Sequence, residues 1–82
     1  MKIYQSILDV MATAATNYNI DVAVTKNTDD AAYNAERMKA AQEIADGAGI
    51  PTHVSFIDDQ ISSVSVGEIG DRRYLSQTIT RK

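Results

Sequence analysis

From Ile3 to Tyr18 the apolar positions recur at helical spacing: Ile3, Tyr4, Ile7, Leu8, Val10, Met11, Ala14, Ala15 and Tyr18 share one face. Gln5, Ser6, Asp9, Thr13, Thr16 and Asn17 share the other, so the pattern predicts an amphipathic helix. Asn17 and Asn19 are its expected terminators, because asparagine tolerates the left-handed conformation. The period then shortens to two. Ile20, Val22 and Val24 alternate with smaller or polar residues, which predicts a strand over 20–25.

A second helical stretch runs from Thr28 to Ala48. Asn27 or Thr28 can cap it, and Asp29 and Asp30 occupy its first turn, where carboxylates complement the helix dipole. Ala31, Ala35, Met38, Ala41, Ile44, Ala45 and Ala48 form the apolar stripe, with Glu36, Lys39, Glu43 and Asp46 opposite. Gly47 is the expected left-handed stop, and Gly49 with Pro51 prevents resumption. Ile50, between these breakers, is expected to fold back onto the last turn.

Alternation returns at 52–57, with Val54 and Phe56 inward, and again at 61–69, where Val64 and Val66 oppose Ser63 and Ser65. Asp58 and Asp59 make the turn between them; Ile61 is out of phase with its strand, which signals a bulge or a later start. Gly70-Asp71 predicts a tight second hairpin into a last strand over 73–80, with Leu75 and Ile79 inward. The order is α-β-α-β-β-β in a single domain over 1–82. The expected class is α/β (α+β): a two-layer sandwich, its four-stranded mixed sheet including a right-handed parallel crossover, with both helices on one face. The opposite sheet face would carry small hydroxyl residues.

Length and charge narrow the function. Eighty-two residues without cysteine form a small core with no disulfide or thiolate metal site to reinforce it, so a homo-oligomer is a live expectation. Met1 to Asp71 holds eleven acidic and four basic residues; Arg72 to Lys82 holds four basic and none acidic. Gln5, Ser6 and Asp9 interrupt what would be a signal-peptide core, and no window reaches the apolar length of a membrane span. The expected location is the cytoplasm.

Catalytic signals are sparse. His53 is the only histidine, and Ser55 shares its strand face without an oxyanion-hole or nucleophile-elbow pattern. Asp58 and Asp59 are adjacent rather than alternating, which suits a turn better than a cation loop with Glu68 or Asp71. Gly67-Glu68-Ile69-Gly70 matches a bare G-x-x-G, but with an acid inside it. No enzyme, cofactor or metal is expected. The short chain, generic α/β pattern and missing catalytic constellation resemble, in type, the small accessory proteins that bacteriophages use against host machinery, a likeness carried by no motif.

The leading expectation is therefore a non-enzymatic protein-binding module, of phage accessory or inhibitor type, that occludes a surface on a host protein. Its acidic helix face, Asp29, Asp30, Glu36, Glu43 and Asp46, would meet a basic groove if that host protein handles nucleic acid. One alternative is a nucleic-acid binder using Arg72, Arg73, Tyr74, Arg81 and Lys82. Another is an oligomeric sponge for a nucleotide or other small ligand.

Overall fold

A computed structural model of the protein describes residues 2–82. Two helices, α1 (Ile3–Ala23) and α2 (Thr28–Gly47), precede three strands, β1 (Thr52–Ile57), β2 (Gln60–Val66) and β3 (Leu75–Thr78). The strands form one antiparallel sheet in the order β1-β2-β3. The architecture is α+β, two helices packed against a three-stranded antiparallel sheet.

The predicted strand over 20–25 does not form, and with it go the parallel crossover and the four-stranded mixed sheet. α1 runs straight through Asn19 and Ile20 to Ala23, and Lys26, at φ 54°, turns the chain toward α2. Extending a helix fixes one residue per added hydrogen bond, whereas an isolated strand needs a neighbour. Asn19 is no terminator either: it is a fully buried residue inside the helix.

α1 lies across β2 and β3, while α2 rests mainly on α1 and touches the sheet along β1. Ile7, Leu8, Met11, Ala14 and Ala15 of α1 meet Ile61, Val64, Val66 and Ile79 from the sheet, with Met38, Ala41 and Ala45 of α2 closing the side. Small residues on both helices let them approach closely. Asn34 Nδ2 donates to Asp21 Oδ2 at 2.9 Å, joining the helices near their connection.

Both ends of α2 follow from local chemistry. Asn27 Oδ1 accepts from the Asp30 amide at 3.0 Å. At the other end Gly47 stays helical and Gly49, at φ 74°, takes the left-handed place expected of Gly47. The Ile50 amide then donates to Ala45 O at 2.8 Å, closing a Schellman turn and burying Ile50 as expected.

β1 has its expected bounds, and Asp58, at φ 56°, begins the turn into β2. Pairing shifts between Ser55 and Phe56: Ser55 faces Ser63 while Phe56 faces Ile61, leaving Ser62 as the extra residue of a bulge. The second connection is not a tight hairpin. β2 ends at Val66, which pairs with Leu75, and residues 67–74 form a loop. Tyr4 holds that loop to α1. Its ring lies so close to Gly67 that a Cβ there would stand 2.9 Å from Tyr4 Cε2, and Arg73 Cζ sits 5.1 Å from the Tyr4 ring centroid.

Candidate functional site

α2 carries two adjacent seams of the same spacing. Asn34, Met38, Ala41 and Ala45 form the one that is buried. One residue back, Tyr33, Arg37, Ala40 and Ile44 repeat the same four-three-four steps, a spacing that keeps residues in line along a helix. This second seam faces outward, with Tyr33 63% and Ile44 67% exposed. Ile44, Ala35 and Ala48 were expected in the buried stripe and are exposed; α2 packs mainly on one neighbour, α1, which covers only the central seam and leaves both edges of the stripe open. Arg37 Cζ lies 5.9 Å from the Tyr33 ring centroid, within reach of a cation–π contact.

Arg37, Ala40 and Ile44 of the outer seam form part of one wall of an open apolar groove of about 420 Å³ between the helices. Arg37, Ala40, Ala41 and Ile44 line it from α2; Ile3, Ser6, Ile7 and Val10 line it from α1. Val10 is 41% exposed although it belongs to the apolar face of its helix.

The acidic residues singled out from the sequence border this groove or lie behind it. Asp29, Glu36 and Glu43 are spaced by seven, so they line one side of α2 beyond Ala40, about 10 Å apart along the axis. Asp46 lies further round, beside Lys39, and Asp30 sits in the first turn. All five carboxylate residues are exposed. Among the described residues the one ion pair lies elsewhere, between Arg73 and Asp71. From α1 the polar lining residue is Ser6, while Thr13 and Asn17 line a separate depression with Asp9 and Gln77.

The basic candidates do not converge. Arg72 and Arg73 belong to the 67–74 loop before β3, whereas Arg81 and Lys82 follow it. Eight residues separate Arg73 from Arg81, about 25 Å if extended. Arg73 is also engaged: its Nη2 donates to Asp71 Oδ2 at 2.9 Å and its Nε to Asp71 Oδ1 at 3.2 Å. This fork, with the Arg73 backbone amide on Asp71 Oδ1, holds the Asp71 carboxyl down to about 2. Tyr74 is half-buried at the loop's end. The Lys82 amide donates to Gln60 Oε1 at 2.7 Å, fastening the tail beside the β1–β2 turn.

On the sheet face away from the helices, the register places His53 beside Ser65 and Ser76, and Ser55 beside Ser63 and Thr78. His53 and Ser55 are two apart on one strand, along the ladder rather than against each other. Among the described residues, no helix is long and apolar enough to cross a membrane, and no three His, Asp or Glu residues converge on a metal-sized site.

No protein-family model, curated protein or solved structure matches the chain.

Proposed function

We propose that the chain is a non-enzymatic protein-binding module that works by covering a surface on a protein partner. One observation carries this reading: Val10, Tyr33 and Ile44 leave apolar surface open along the outer side of the helical hairpin, beside a groove that the fold does not fill. Contiguous exposed apolar surface with a charged rim is the usual signature of a protein contact. Exposed carboxylates at Asp29, Glu36 and Glu43, which form no ion pair among the described residues, suit a partner with a basic surface, such as a nucleic-acid-handling protein, which an inhibitor of phage type would occlude.

The test is affinity capture from a cell lysate with three baits: wild type, Val10→Glu/Ile44→Glu, and Glu36→Lys/Glu43→Lys. Both variants alter exposed positions, so each should keep the wild-type melting curve. The reading expects proteins held by wild type to be lost from both variants. Equal capture by all three baits would overturn it.

A further inference from the structure

We infer that the groove between α1 and α2 receives an amphipathic helix with basic flanks, contributed by the partner, as the third helix of the helical layer. The inference rests on the binding-module reading and names the partner's contact element.

Three features point to a helix rather than a loop or strand. The groove runs between two antiparallel helices, whose ridges offer the holes that a third helix fills. The outer seam already has coiled-coil spacing, with Ala40 small enough to admit a close neighbour and Ile44 and Tyr33 on either side. Its apolar walls, Ile3, Ile7, Val10 and Ile44, stand on helices whose backbone groups are bonded internally and offer no edge for a strand to pair with.

Charge selects the flank. The groove's one lining charge, Arg37, lies against the Tyr33 ring; beyond Ala40 the α2 rim presents Asp29, Glu36 and Glu43, and the polar lining residue from α1 is the uncharged Ser6. A lysine or arginine flank on the incoming helix would meet the acidic rim. A second copy of this chain fits less well: antiparallel pairing of the outer seams sets the flank of Glu36 and Glu43 against the same acidic flank of the copy, and parallel pairing sets Arg37 against Arg37. Self-docking is therefore the disfavoured occupant on charge.

Two synthetic peptides as long as the 20-residue α2 decide the matter. They share one leucine seam and differ only in carrying lysine or glutamate at the flanking positions. Binding is followed by amide chemical shifts of the isotope-labelled full chain and by fluorescence anisotropy. The lysine peptide should bind about ten-fold or more tightly than the glutamate peptide, shifting Val10, Ala40 and Ile44. Val10→Glu/Ile44→Glu should abolish that binding at an unchanged melting temperature, and Glu36→Lys/Glu43→Lys should reverse the flank preference. Equal binding of the two peptides, binding of neither, or shifts centred away from the groove would each overturn the inference. So would a concentration-dependent dimer by light scattering that Ile44→Glu dissociates, since the occupant would then be a second copy. If the peptides fail while the lysate capture still depends on Val10 and Ile44, the helix assignment falls and the binding-module reading stands.

Discussion

The side-chain amide of Asn19 lies against the backbone of Ile61 as a strand neighbour would: Ile61 N donates to Asn19 Oδ1 at 2.7 Å, and Asn19 Nδ2 donates to Ile61 O at 2.8 Å. The same Nδ2 reaches Thr80 O at 3.1 Å. Ladder pairing between β2 and β3 extends only to Ser63 and Thr78, although the Ile79 amide still bonds Ser62 O. One step further the chain opens, and the amide of α1 takes the vacant place. A helix thereby closes the sheet beside its bulge.

Replacing Asn19 by Ala removes both partners of Ile61 inside the core, where Asn19 itself is 0% exposed. Leaving a buried donor and acceptor unmatched costs about 2–4 kcal/mol. Urea denaturation of Asn19→Ala should show a loss of that size, and Asn19→Asp, which can accept but not donate, should not restore it. A loss below about 0.5 kcal/mol would mean that water replaces the amide.

Much of the local structure was legible because it is decided by neighbours in sequence. The α1 apolar face, the bounds of β1, the cap at Asn27 (one of two candidates with Thr28) and the bulge (one of two readings of Ile61) depend on spacing or on one turn's chemistry. Residues 20–23 were not legible. Ile20 and Val22 alternate like a strand, yet they continue a helix held by Asn19 to Ile61 and by Asp21 to Asn34, contacts spanning 42 and 13 residues. The candidate site divides in the same way. Glu36 and Glu43 face outward as any reading of the α2 period requires, whereas the outer seam through Tyr33 and Ile44 appears only once α1 is known to flank α2.

Gly67 should tolerate no side chain. Its φ of 96° is strained for any residue with a Cβ, and that Cβ would stand 2.9 Å from Tyr4 Cε2 and 3.2 Å from Tyr74 Cα. Gly70 has the same φ but open space around it. Gly67→Ala should therefore lower stability by about 2–3 kcal/mol and Gly70→Ala by about 1 kcal/mol. Equal losses in thermal melts would show that the Tyr4 contact contributes nothing.

Asp71 provides a pH signature. Its carboxyl is held down to about 2, from a model-peptide value of 3.8, first by the Arg73 side-chain hydrogen bonds and then by the Arg73 amide. Because the folded value lies below the unfolded one, the contribution is complete above about pH 4 and is lost as pH falls through about 2. An NMR titration of the Asp71 carboxyl carbon should give a midpoint near 2. Arg73→Ala should move the midpoint upward, but only part of the way, since the backbone amide remains.

Ala41 and Ile44 stand three residues apart on α2, and the same substitution should separate them. Ala41 is 6% exposed within the core, whereas Ile44 is 67% exposed on the groove wall. Ala41→Glu forces a carboxylate into the packed seam between the helices, a cost of several kcal/mol that a core this small should not withstand. Ile44→Glu leaves its charge in water and should shift stability by no more than about 0.5 kcal/mol. Conventional hydrophobicity ranks the two positions the other way, since isoleucine is the larger apolar residue. Circular dichroism melts of both variants therefore test where α2 places its buried seam: a cooperative, wild-type-like melt for Ala41→Glu with collapse of Ile44→Glu would require α2 to be rotated about its axis.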